Sequence, residues 1–234
     1  MVGIAAGVTA TAASAFLTYS VRAPSAAVFG ASVYRGGQER RAVALTFDDG
    51  PSESTLSLLE ELARQQVPAT FFQCGANVER LPAVAREVRA AGHEIGNHSH
   101  THPLFCFRSP WFIETEFRRA QEAILQVTGA APSLLRAPFG ARWFGFRRAQ
   151  RRLRLLGVMW TVIGYDWRLE ADSIVARVLR GISNGAIICL HDGRGLRTNP
   201  DIRETIEAVR RLIPRLRACG YSFETVSQLL CPTT

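Results

Sequence analysis

From Arg41 onward, short apolar runs of four to six residues alternate with longer stretches whose apolar positions recur every three or four residues. The runs predict strands at Val43–Phe47, Ala69–Cys74, His93–Gly96, Ser133–Arg136, Val158–Ile163, Ala186–Leu190 and Tyr221–Thr225. The longer stretches predict helices at Thr55–Arg64, Pro82–Ala91, Ile113–Val127, Phe146–Leu155, Asp172–Gly181 and Ile202–Ala218. Gly92, Gly129, Gly157, Gly185 and Gly220 fall where helices should stop. Strands separated by helices imply a mostly parallel sheet, here an α/β fold with about seven strands closed, or nearly so, into a distorted (β/α) barrel.

Upstream the pattern changes. Val2 to Val21 carries no charge and is rich in Ala, Gly, Thr and Val, so residues 1–22 read as a signal or membrane-anchor segment. Residues 23–40, with their Pro, Ser and Gly, read as a linker into a domain at 41–234. A chain of 234 residues, 47% hydrophobic and 21% charged, supports one well-buried domain and excludes a disordered or multi-spanning protein. The net charge of +8 comes from arginine alone, since there is no lysine. A compositional bias towards Arg and Ala is the simpler explanation, but such a charge still favours anionic polymers, phosphates or anionic membrane surfaces. No nucleic-acid partner is expected. Cys74, Cys106, Cys189, Cys219 and Cys231 contain no CxxC pair; Cys74 and Cys189 read as core residues, and a Cys219–Cys231 bridge stays open.

The chemistry concentrates at predicted strand ends. Asp48 and Asp49 stand together behind Ala42-Val43-Ala44-Leu45, where two unpartnered charges would be costly to bury, so a cation is expected beside them. His98 and His102 are four apart, a spacing that suits one face of a helical turn. One carboxylate with two imidazoles is a common ligand set for a catalytic divalent metal, and it leaves the second aspartate free as a base. Arg136, Asp166 and His191 lie at three further strand ends, so five ends would converge on one barrel mouth. His93 begins its strand and belongs to the opposite, structural end.

Five blocks, Thr46-Phe-Asp48-Asp49-Gly50, His98-Ser-His-Thr-His102, Arg136-Ala-Pro138-Phe139, Asp166-Trp167 and Leu190-His191, together resemble the polysaccharide deacetylase family with the NodB-type domain, carbohydrate esterase family 4. The resemblance spans roughly Val43 to Leu230. It implies that Asp49, His98 and His102 hold the metal, most often zinc, with cobalt or another divalent ion as alternatives. It further implies Asp48 as general base, His191 as the acid that protonates the leaving amine, and Arg136 and Asp166 as their respective partners. Pro138, Phe139, Trp167 and Leu190 would contact substrate, with the Phe139 N–H facing the oxyanion. His100 is expected in solvent or behind the ligands. The family's Arg-Pro-Pro block is Arg136-Ala137-Pro138 here, which gives a less rigid turn.

The implied activity is metal-dependent removal of N-acetyl groups from N-acetylglucosamine-type units of a glycan: peptidoglycan, a chitin-like oligomer or a lipid-linked sugar. The alternatives are an O-acetyl esterase, for example on xylan, and a glycan-binding protein of weak turnover. Two segments rich in aromatics and arginine, Leu104–Phe112 and Arg142–Arg148, are expected to rim the mouth and to offer a membrane contact. The expected location is the cell envelope, by anchoring or export, with the cytoplasm as the alternative.

Overall fold

Every strand pairing in the sheet is parallel, and the reason is visible in the order of elements. The computed structural model describes residues 2–231. In chain order it runs α1 (Val2–Arg22), β1 (Ser32–Val33), β2 (Ala42–Asp48), α2 (Thr55–Arg64), β3 (Thr70–Gln73), α3 (Gly75–Arg80), α4 (Pro82–Ala90) and β4 (Glu94–Asn97). There follow α5 (Pro110–Thr128), β5 (Leu134–Leu135), a 3-10 turn (Pro138–Gly140), α6 (Phe146–Leu153), β6 (Leu156–Val158) and β7 (Val162–Ile163). The chain then forms α7 (Ala171–Gly181), β8 (Ala186–His191), α8 (Arg203–Ala218), β9 (Ser222–Phe223) and α9 (Val226–Leu230). The strands are ordered β1-β6-β5-β4-β3-β2-β8-β7, with β9 paired to β2 beside this path.

β2 fixes the layers. Its odd residues Val43, Leu45 and Phe47 join the cluster that packs under the helices, with Leu58, Leu62, Ile174, Val209 and Leu212. Ala42 and Ala44 point the other way, into the barrel interior with Phe72, Leu134, Val158 and Ile187. All of these are buried; each large apolar side chain contributes roughly 1.5–3 kcal/mol relative to exposure. A third cluster, Phe105, Ile113, Phe117, Leu135, Trp143 and Phe146, also takes in Val21 and Phe29 from the N-terminal segment.

Several expectations need correction. The run Val158–Ile163 is not one strand: its start pairs with β1 and β5, and its end with β8 at the other end of the path. Met159 to Thr161 therefore spans the gap between the two sheet ends, tied by Met159 N–H to Val33 O (2.7 Å) and Thr161 N–H to Ile187 O (2.9 Å). Residues 23–40 are more than a linker, because they contain β1 and the buried Phe29. α3 and α9, of six and five residues, are too short to show a helical period. Gly157 lies inside β6, where a Cβ would meet Ser32 Oγ at 2.5 Å; the preceding helix ends instead at Arg154, with φ 56°. Cys219 and Cys231 are free.

Of the expected segment 1–22, Met1 and the side chains of 2–11 lie outside the described residues, while the backbone of Val2–Arg22 is helical. Among the described residues, no helix is long and apolar enough to cross a membrane. The second aromatic segment is divided: Arg142, Trp143 and Phe146 are buried, while Phe144, Arg147 and Arg148 are exposed. Arg142 is buried and caps the end of α1, donating to the carbonyls of Ala23 and Ala26, while its own N–H reaches Val21 O.

Candidate active site

β2 and β8 are in register with Asp48 opposite His191, so the two side chains emerge side by side at the barrel mouth. Strand alternation would send the next residue, Asp49, to the helix side. A left-handed backbone at Asp49 (φ 76°) breaks the alternation and brings both carboxylates to the same site. The turn admits no larger residues: a Cβ on Gly50 would meet Asp192 Oδ2 at 2.1 Å, and one on Gly193 would meet Asp49 O at 2.5 Å. Of the nine non-glycine residues with positive φ among the described residues, five line the same cleft: Asp49, His102, Phe139, Tyr165 and Asn199. Backbone strain of this kind concentrates at functional sites.

His98 and His102 do not lie on a helix, contrary to the spacing argument. They sit in the loop after β4, which folds back through Ser99 (φ 66°) and His102 (φ 54°). Glu116 of α5 holds this loop by accepting from the N–H groups of His100 (3.1 Å) and Thr101 (2.7 Å) and from Thr101 Oγ1. His98 Nδ1 lies 2.9 Å from Arg136 O, to which it donates, leaving the Nε2 lone pair exposed to the cleft. That Nε2 is 3.4 Å from Asp49 Oδ1, and His102 Nε2 is 2.9 Å from the same oxygen. Asp49 Oδ2 accepts the Gly195 N–H at 2.8 Å, yet buried Oδ1 has no hydrogen-bond donor. An orphaned carboxylate oxygen facing an imidazole lone pair is repulsive unless a cation stands between them. The three residues offer one oxygen and two nitrogens within 4.8 Å of one another, which fits a divalent metal. Burial pushes the Asp49 carboxyl up; without a metal, protonation of His102 and His98 would turn both Nε2 atoms into donors and bring it well below the usual range.

Asp48 is held from the other side. Arg136 is fully buried, donates from Nη1 to Asp48 Oδ1 (2.6 Å) and Thr46 Oγ1 (2.8 Å), and stacks on the Phe72 ring at 4.0 Å. Cys189 Sγ lies 3.5 Å from Asp48 Oδ2, and burial, then the carboxylate, pushes its thiol well up, so it stays protonated. His191 Nδ1 is 2.8 Å from Asp166 Oδ1, while Asp166 Oδ2 accepts from the His191 N–H (2.9 Å) and Thr205 Oγ1 (2.6 Å). Burial pulls the His191 imidazolium down, yet the Asp166 charge and hydrogen bond, then Asp49 and Asp48, raise it to about 9. Asp166 moves the opposite way: burial raises it, and His191, Thr205 and Arg194 bring it below the usual range.

The cleft holds about 1010 Å³. Phe139 and the indole of Trp167 form parts of its wall, and Trp167 meets His191 edge-on at 4.9 Å. Leu190 and Pro138 do not line it; Leu190 is fully buried on the helix-facing side of β8, as alternation demands when His191 faces inward. His100 is buried rather than solvent-facing, with Nε2 3.8 Å from Glu79 Oε2. His93 is buried at the opposite end of β4, where Nδ1 accepts the Ala69 N–H, and burial lowers it to about 4.

A family model described as polysaccharide deacetylase matches residues 35–158. The chain belongs to the polysaccharide deacetylase family. A chitooligosaccharide deacetylase of Bradyrhizobium sp. is 36% identical over 198 residues, covering 81% of this chain and 90% of that protein. The peptidoglycan-N-acetylglucosamine deacetylase PgdA of Listeria monocytogenes is 32% identical over 191 residues; the match covers 81% of this chain but only 39% of that longer protein. The crystal structure of the Bc1960 peptidoglycan N-acetylglucosamine deacetylase superposes with a TM-score of 0.79 at 29% identity, covering 84% of this chain and 91% of that one. Polysaccharide deacetylases of this type are metalloenzymes, in keeping with the Asp49–His98–His102 donor set.

The chain also has site residues that sequence reasoning missed. Glu116 was legible: it sits on the buried stripe Ile113, Phe117, Ala120, Ile124, an acid where the helical period requires an apolar residue. Asn77, whose Nδ2 joins Asp49 O (2.8 Å) to Gly195 O (2.9 Å), lies in the short α3 and carried no periodic signal. Cys189, read as a core residue, proves to line the cleft.

Proposed function

We propose that the protein hydrolyses the N-acetyl group of N-acetylglucosamine-type units in a glycan, using a divalent metal, most suitably zinc, held by Asp49, His98 and His102. The observation that carries this reading is the donorless Asp49 Oδ1 facing two imidazole nitrogens, beside an aspartate and a histidine that are each oriented by a separate buried partner. When bound, the cation supplies Lewis acidity, acidifying water and polarising the acetamido carbonyl.

Asp48, fixed by Arg136, accepts the proton of the attacking water. Phe139 N–H is assigned to the oxygen that gains charge as the carbonyl carbon becomes tetrahedral. His191, kept protonated by Asp166, delivers its proton to the departing nitrogen as the C–N bond breaks, giving acetate and a free amine. Trp167 closes one side of the pocket against the acetyl methyl.

The names of the relatives support an amide substrate over an ester. Acetate release from N-acetylglucosamine oligomers and from O-acetylated xylan, with and without chelator, tests the choice; release from xylan alone assigns the esterase. A weakly active binding protein is disfavoured because Asp48 and His191 are both in place. The peptidoglycan relatives and the N-terminal helix, uncharged from Val2 to Val21, support a cell-envelope location, which fractionation of the native host tests. A membrane-facing rim would reduce to Phe107, Trp111 and Phe144, at 86%, 69% and 61% exposure. Liposome binding unchanged by Phe107→Ser with Phe144→Ser would exclude it.

A further inference from the structure

The cleft carries positive charge that the hydrolytic chemistry does not use. Three arginines line it: Arg22 at the end of α1, and Arg194 and Arg197 in the loop after β8. The acids that line it are each engaged. Asp48 is paired with Arg136, Asp49 faces the two imidazoles, and Asp201 is paired with Arg203 at 2.7 Å. Arg194 is partly committed, donating to Gly193 O (2.7 Å) and Asp166 O (3.0 Å). Arg22 and Arg197 are exposed, and among the described residues neither has a carboxylate partner.

The two stand on different walls. Arg22 belongs to the segment that Arg142 clamps through Val21, Ala23 and Ala26, next to the Phe139 turn. Arg197 follows Gly195, whose N–H holds Asp49. A chain of sugars lying over the metal ligands from one wall to the other would pass a guanidinium on each side of the unit that reacts. Guanidinium groups recognise planar or tetrahedral oxyanions through paired hydrogen bonds, and they offer a neutral sugar much less.

We infer that Arg22 and Arg197 form flanking anion subsites, so that the preferred substrate is an N-acetylated glycan carrying a carboxylate or phosphate on a sugar next to the one deacetylated. The inference rests on the deacetylase reading and narrows its substrate. It also gives the N-terminal segment a role at the site, because Arg22 lies before the part of the chain that the family model matches.

The test uses three probes on the zinc-loaded full chain: chitopentaose, its 6-phosphorylated form and its C6-oxidised, carboxylate-bearing form. Acetate release gives kcat/KM, and calorimetry gives affinity. An anionic oligomer is expected to exceed the neutral one in both, with the gap closing in 0.5 M salt (~4 Å Debye length). Arg22→Gln and Arg197→Gln are each expected to shrink the anionic-to-neutral ratio by roughly tenfold, the scale of one charged hydrogen bond, with Lys retaining part of it. A gap for one anionic probe only identifies which oxyanion is read. Equal constants for all three probes, or ratios unmoved by both Gln variants, overturn the inference. Acetate from none of the probes, with the affinity gap intact, would sink the deacetylase reading and leave the anion subsites standing.

Discussion

Arg136 and Asp48 form an ion pair of 2.6 Å in which the guanidinium is fully buried and the carboxylate meets only the cleft, and the same guanidinium donates to Thr46 Oγ1 and Met159 O. Removing the cation would strand a buried carboxylate. Arg136→Met is expected to cost about 3–5 kcal/mol in denaturant unfolding and to abolish turnover. Asp48→Asn is the sharper probe: metal content should persist while acetate release falls by about 10²–10⁴-fold. A near-normal rate with metal retained would assign the base elsewhere.

The orphaned Asp49 oxygen predicts that the metal contributes to stability as well as to rate. Chelation is expected to abolish turnover and lower the melting temperature, and zinc or cobalt should restore both. Ligand at a hundred times its dissociation constant stabilises by about 2.7 kcal/mol. Full activity in excess chelator contradicts the ligand assignment, as does an Asp49→Ala variant that retains stoichiometric metal.

The His191–Asp166 pair makes a signed pH prediction. The acid must carry its proton, so turnover should decline as pH rises through the His191 value, which is about 9 without a cation and lower with one. Asp166→Asn is expected to shift this limb towards acid. Stability has the same sign, because the folded value lies above the ordinary 6.5. The contribution in metal-free protein is complete below about pH 6.5 and is lost as pH passes about 9. Melting temperatures of the metal-free wild type and Asp166→Asn should therefore converge over that range; divergence would refute the pairing.

Gly193→Ala tests the backbone at the mouth. Its Cβ would lie 2.5 Å from Asp49 O, a rigid neighbour, so the turn carrying the metal ligand must move. Weaker zinc binding is expected, with a smaller change in melting temperature for the metal-free protein. Zinc affinity equal to wild type would show that the turn yields freely.

Much of this arrangement was legible in the chain. The layers of β2 and β8 follow from alternation, and Asp48, His191, Arg136 and Asp166 follow from strand ends meeting at one mouth. The His98–His102 spacing picked out two residues that do meet at Asp49, but not by the helical turn it suggested, since loop and helix can both present residues four apart. Leu190 was misread because adjacency to His191 in sequence means opposition across the sheet. β1 and the split of 158–163 were illegible because strands of two or three residues leave no period, and only pairing partners far away in sequence define them.

The three residues Met159 to Thr161 carry the chain from β6, next to one end of the strand path, to β7 at the other, a hinge pin beside the second fastening that Arg35 makes to Ala186. Arg136 donates to Val158 O and Met159 O from inside the barrel, and the Trp160 ring stands 5.7 Å from its guanidinium. Shape and chemistry thus share one fastening: loosening that pin would slacken the grip on the proton acceptor even with every ligand to the metal untouched.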